Sequence, residues 1–97
     1  MFRQIKVSQL KERLAGHEAL LLIDVRQPDE HDEAHIPNSI LIPLAELPQR
    51  LAELAAYRDQ ELIIYCKAGV RSSMACKFLA AHGFSRLFNL TEGMLGW

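Results

Sequence analysis

The chain reads as an α/β protein built on a mostly parallel sheet of about five short strands with helices on both faces. Two observations predict this. Short apolar runs alternate along the sequence with segments of helical periodicity, the order expected when strands are joined by crossover helices. The run from Leu62 to Tyr65 is continuously apolar rather than alternating, as in a strand covered on both faces, and too short for a helix. A chain of 97 residues suits a single domain, residues 1–97, and buries about two thirds of its unfolded surface.

In order along the chain, Gln4 to Val7 is expected as the first strand, and Ser8 as the cap of a helix through Leu10 and Leu14 that stops at Gly16. Leu20 to Val25 is the next strand. Pro28 to Glu33 is a polar helical turn, and Ser39 to Ile42 a short strand that ends at Pro43. Leu47, Leu51, Leu54 and Ala55 share one face, which predicts a helix from Leu44 to Ala56 with Pro48 near its first turn. After Leu62 to Tyr65 come a loop, a helix from Ser72 to His82 closed by Gly83, and a last strand from Arg86 to Leu90.

The loop carries the chemistry. Cys66 follows the buried strand directly, at the sheet edge where open α/β folds bind ligands. Gly69 permits a sharp turn that points successive N–H groups at one spot, a nest suited to an anion. Ser72 or Ser73 is expected to cap the helix that follows, aiming its positive end at the loop. With Lys67 and Arg71 beside it, the thiol is expected to lose its proton more readily than a free cysteine near pH 8.5. A cysteine that merely fills space accounts for neither Gly69 nor the two cations. Cys76 is the contrast: it shares a helix face with Ala75 and Leu79 and reads as a small buried filler.

Other polar clusters are weaker. His31 and His35 lie four apart in an acidic run, but Asp32 stands where the zinc-protease pattern needs glutamate, and Pro37 opposes one helix carrying both. A solvated acidic turn is the expectation, with no metal. His17 and His82 fall near helix ends, where an imidazolium complements the dipole. Asp24 and Arg26 straddle the end of the second strand. A buried Arg26 needs a carboxylate, and Glu30, four residues on, is the nearest, so a structural clamp between Arg26 and Glu30 is expected, with Asp24 helping to orient the catalytic loop. A net charge of −1 leaves no footprint for nucleic acid and no basic helix for a membrane. Only two cysteines, and a start from Met1 to Lys6 without the apolar core of a signal peptide, point to a reducing compartment, the cytoplasm.

The order Cys66, four residues, Arg71, Ser72, preceded by a hydrophobic strand, resembles the active-site loop of the rhodanese family of sulfurtransferases. Leu22, Ile23, Asp24, Val25, Arg26, then Pro28, Asp29 and Glu30, then His35, Ile36 and Pro37, are similar to the family's amino-terminal signature. Phe84, Leu87, Asn89, Leu90, Gly93 and Trp97 resemble its carboxy-terminal one. Ala34 and Asn38 stand where glycine is common, and Asn38 tolerates a left-handed turn. Glu92 replaces the first glycine of the pair usually seen before the final tryptophan.

The resemblance implies a rhodanese-like three-layer fold and a sulfurtransferase that needs no cofactor. Cys66 is then the catalytic residue, and Lys67, Ala68, Gly69, Val70, Arg71 and Ser72 bind the substrate. Its partners are a small-molecule sulfur donor such as thiosulfate and an acceptor: cyanide in the assay the family is named for, a thiol or a sulfur-accepting protein in the cell. Two other readings compete. A carrier or regulatory module of the same fold keeps Cys66 without turning over small molecules. Cysteine phosphatases use a similar loop but separate cysteine and arginine by five residues, where this chain has four.

Overall fold

A computed structural model describes residues 1–97. Five strands, β1 (Arg3–Ile5), β2 (Leu21–Asp24), β3 (Ile40–Leu41), β4 (Leu62–Tyr65) and β5 (Leu87–Leu90), form one sheet in the order β1-β5-β4-β2-β3, and every pairing is parallel. The helices are α1 (Val7–Ala15), α2 (Pro28–Glu33), α3 (Val70–Ala81) and α4 (Gly93–Gly96). No helix is long and apolar enough to cross a membrane.

β4 occupies the middle of the sheet, and the two-residue period of its side chains divides the core. Leu62 and Ile64 face the layer of α3, where they meet Ala75, Cys76 and Leu79. Ile63 and Tyr65 face the layer of α1, with Val7, Leu10, Ile36 and Leu90. All four strand residues are buried, which is why the run is apolar throughout and not alternating. The expected three-layer α/β arrangement is the one observed.

Several boundaries differ for identifiable reasons. β1 ends at Ile5, because Val7 is already the first residue of α1. Ser8 does not cap this helix. Lys6 holds that position, its N–H donated to the Gln9 side-chain oxygen at 2.8 Å, while Ser8 is exposed and already the second residue of the helix. The helix stops before Gly16 as expected, but His17, at φ 62°, takes the left-handed turn.

The expected helix from Leu44 to Ala56 is replaced by two 3₁₀ segments, Leu44–Glu46 and Leu51–Tyr57. Pro48 has no N–H for the helical ladder, and beyond it the Arg50 N–H is shared between the carbonyls of Glu46 and Leu47. A period of three then places Leu51, Leu54 and Tyr57 toward the core and turns Ala55 outward. Asn38 takes the left-handed conformation foreseen for it, at φ 68°.

Candidate active site

β4 delivers Cys66 to the carboxyl edge of the sheet, where its side chain is 1 % exposed. The chain then turns at Gly69, whose φ of 91° suits glycine and whose missing Cβ leaves room for the Thr91 carbonyl. Because the turn is this tight, α3 begins at once, with Gly69 as its cap and Val70 as its first residue. Neither Ser72 nor Ser73 caps the helix, since both already lie within its first turn.

Ser72 is turned to another use. Its hydroxyl lies 3.3 Å from Cys66 Sγ, and the Gly69 N–H donates to the same sulfur at 3.1 Å. Burial pushes the Cys66 thiol up, but the Ser72 hydroxyl and the N–H groups of Ser72, Ala68 and Gly69 outweigh it and leave the thiol below its ordinary value. Hydrogen bonds, more than the neighbouring cations, therefore favour the thiolate. Lys67 is exposed and unpaired, and Val70 projects to solvent, 70 % exposed. The Arg71 guanidinium is occupied by Glu30, with two bonds of 2.7 and 2.9 Å. Its charge still acts on Cys66.

The clamp expected between Arg26 and Glu30 does not form. Arg26, two residues beyond the end of β2, turns back to Asp24 in a bidentate pair closed at 3.0 and 2.8 Å, and donates to the Ala34 carbonyl at 2.7 Å. Glu30 instead accepts the Gln27 N–H at the start of α2 and reaches across to Arg71, which holds its carboxyl down at about 2. Asp24 makes no hydrogen bond to the Cys66 loop. It ties β2 to α2 through Arg26 and through His31 Nδ1 at 2.9 Å, and although burial pushes its carboxyl up, these partners hold it below the usual range. His35 stacks on His31 at 3.8 Å and turns its own Nδ1 to the His31 carbonyl.

The loop is braced from the far side by residues that sequence reasoning had not linked to it. The N–H groups of Met94 and Leu95 donate to the carbonyls of Cys66 and Lys67 at 2.9 and 3.0 Å. A trans peptide plane points its N–H opposite its carbonyl, so this bracing turns the N–H groups of Lys67 and Ala68 away from α4 and into the loop. Gly93, at φ 58°, allows the approach: a Cβ there would lie 2.5 Å from both carbonyl oxygens. Glu92 sits in ordinary right-handed backbone and accepts the Val7 N–H at 2.7 Å, so the residue in place of the usual glycine caps α1. Asn89 is buried behind Ser72, whose hydroxyl donates to it at 2.5 Å. A polar residue inside the apolar strand from Leu87 to Leu90 was the available signal. Beside the loop a shallow cavity is lined by Arg26, Glu30, Glu33, Lys67, Met94 and Leu95.

A cysteine sulfur in a nest of N–H groups at the edge of a parallel sheet is what the loop motif implied, and the family profile described as a rhodanese-like domain matches residues 6–97. The chain belongs to the rhodanese-like domain family. A sulfurtransferase of Allochromatium vinosum is 36 % identical over 97 residues, spanning all of this chain and 89 % of that one. A Bacillus subtilis protein named as a sulfur carrier, YrkF, is 35 % identical over 94 residues, 97 % of this chain and 50 % of its own length. Among solved structures, a rhodanese-like domain protein from Staphylococcus aureus superposes with a TM-score of 0.90 at 30 % identity, covering 98 % of this chain and 90 % of that one. Sulfur transfer and sulfur carriage are the activities named for the first two of these relatives.

Proposed function

We propose that the protein is a single-domain cytoplasmic sulfurtransferase in which Cys66 takes a sulfane sulfur from a donor such as thiosulfate, holds it as a persulfide, and passes it to a nucleophilic acceptor. The observation that carries this reading is the buried Cys66 sulfur, met by the Gly69 N–H at 3.1 Å and the Ser72 hydroxyl at 3.3 Å. Donors fixed there favour negative charge on the attacking sulfur and on the persulfide that replaces it.

In the first step the Cys66 thiolate attacks the outer sulfur of thiosulfate. A new S–S bond forms at Cys66, the donor's own S–S bond breaks, and its electron pair leaves on sulfite. In the second step the acceptor, cyanide in vitro or a thiol in the cell, attacks the outer persulfide sulfur and returns Cys66 as thiolate. Lys67, free of any ion pair, is placed to draw the anionic donor to the loop, and Ala68, Gly69, Val70, Arg71 and Ser72 complete the binding loop. A persulfide carrier that exchanges sulfur with a protein is the second reading, favoured by the exposure of Val70 and Leu95, each 70 %, at or beside the loop.

Intact mass spectrometry tests the assignment. After incubation with thiosulfate the protein is expected to gain one sulfur at Cys66, reversed by a reductant, and the Cys66→Ser variant to gain none. No gain on the wild type, or an equal gain on the variant, overturns it. Loading from a persulfidated protein but not from thiosulfate selects the carrier reading.

A further inference from the structure

Behind Cys66 a chain of buried polar groups runs back to the edge of the sheet. Ser72 is 0 % exposed and Asn89 4 %. The Asn89 Nδ2 donates to the Gly69 carbonyl at 3.3 Å and to the Gln4 side-chain oxygen at 3.0 Å. A main-chain carbonyl only accepts, so the amide has one orientation here, and its Oδ1 faces Ser72. The Ser72 hydroxyl donates to that oxygen at 2.5 Å, while its own oxygen lies 3.3 Å from Cys66 Sγ.

A hydroxyl has one hydrogen to give. While Cys66 is a thiol the hydrogens run in one direction, from S–H to Ser72 Oγ and from Ser72 O–H to Asn89 Oδ1, and every group is satisfied. A thiolate has no hydrogen to offer and draws the one on Ser72, which then leaves the buried Asn89 oxygen without a donor. Asn89 and the charged sulfur therefore compete for the same hydrogen.

We propose that Asn89 is a positioning residue for sulfur transfer: by holding the hydroxyl hydrogen of Ser72, it sets how strongly Ser72 supports negative charge on the Cys66 sulfur. This rests on the reading of Cys66 as the sulfur-bearing nucleophile. The charged groups around the loop are otherwise committed or remote from this exchange. Arg71 on α3 is paired with Glu30 of α2, Asp24 on β2 is closed by Arg26 and His31, and Glu92 before α4 is turned to the Val7 N–H. Lys67 is the one free charge in the loop, and it is common to every variant below.

The test is the pH dependence of Cys66 alkylation by iodoacetamide, read by peptide mass, in a square of variants at positions 72 and 89. Ser72→Ala is expected to raise the midpoint by about one pH unit, having lost a donor to the thiolate. Asn89→Leu, similar in size but with no acceptor, is expected to lower it by about half a unit or more, and to have no effect once Ser72→Ala is present. Asn89→Asp is isosteric and holds the hydrogen more firmly, so Ser72→Ala is expected to shift the midpoint less in its presence than in its absence.

A merely structural role for Asn89 predicts shifts that persist without the Ser72 hydroxyl. If the Asn89→Leu shift survives Ser72→Ala, or if Ser72→Ala acts equally with and without Asn89→Asp, the proposal is overturned. Should Asn89→Leu fail to fold, the Asn89→Asp pair decides alone. Sulfur loading of the wild type keeps the two claims apart: a protein that takes no sulfur refutes the proposed function, whereas one that loads normally with uncoupled midpoints refutes only the role of Asn89.

Discussion

Gly93→Ala is expected to damage both stability and sulfur transfer, from a position outside the cysteine loop. Alanine at φ 58° costs about 1 kcal/mol in backbone strain. Its Cβ would stand 2.5 Å from the carbonyl oxygens of Cys66 and Lys67, where an ordinary carbon–oxygen contact is about 3.3 Å, so the loop must retreat by about 0.8 Å. That retreat stretches the bonds from Met94 and Leu95, now 2.9 and 3.0 Å, beyond hydrogen-bonding range, at a net cost of about 1 kcal/mol each. The sum is about 3 kcal/mol of stability. A displacement of about 1 Å in a reacting group also costs on the order of a hundredfold in rate. Urea unfolding measures the first effect and the initial rate of sulfur loading from thiosulfate the second. Gly16→Ala is the control, because Gly16 has ordinary backbone at φ −78° and no neighbour nearer than 3.4 Å. A Gly93→Ala protein that unfolds at the wild-type urea concentration and loads sulfur at the wild-type rate would refute the idea that α4 holds the loop in place.

Two further outcomes follow from the charges and thiols. The Glu30 carboxyl is held at about 2 when folded against an ordinary 4.5, so its pairing with Arg71 stabilises the protein above about pH 4.5 and is lost as pH falls from there toward about 2. Side-chain exposures of 27 % and 34 % leave the pair partly screened, so Glu30→Gln is expected to lose about 1 kcal/mol near neutrality and to recover most of that deficit as pH falls toward about 2; an undiminished deficit at low pH in urea titrations counts against the pairing. Cys76, whose thiol burial pushes up to about 12, is expected to resist alkylation in the folded protein, and Cys76→Ala to cost about 1 kcal/mol in thermal unfolding while transferring sulfur at the wild-type rate. Loss of sulfur transfer in Cys76→Ala would assign that thiol a role in the chemistry.

What could be read from the sequence was what local pattern controls. The uninterrupted apolar run from Leu62 to Tyr65 marked the central strand because burial on both faces leaves no polar position, and the glycine three residues after Cys66 marked the turn because only a left-handed residue fits there. The same reasoning misplaced partners chosen in three dimensions. Glu30 looked like a neighbour of Arg26, four residues away, yet it binds Arg71, 41 residues away across the mouth of the loop. Glu92 meets Val7 over 85 residues, a pairing no spacing rule could suggest. Pro48 was visible throughout, but a proline near the first turn is compatible with an α-helix, and the 3₁₀ geometry showed only in the fold, where the Arg50 N–H is divided between the carbonyls of Glu46 and Leu47. Asn89 was visible as a polar interruption in β5, though its purpose needed the position of Ser72.

The parallel pairing of β1 with β5, Arg3 against Phe88 and Ile5 against Leu90, has a kinetic consequence. These strands cannot meet until the chain between them has been drawn in, and contacts of such sequence separation make folding slow, because loop entropy is lost before the pairing rewards it. β5 leads directly into Thr91, Gly93 and α4, the segment against which the cysteine turn is pressed. During refolding, Cys66 is therefore expected to remain an ordinary thiol while β2, β4 and α3 gather. Its heightened reactivity should emerge only with the slowest phase. Pulsed alkylation during refolding would time that event against the burial of Cys76, which needs only α3 and the sheet, and it should find the inert thiol protected before the nucleophile is switched on.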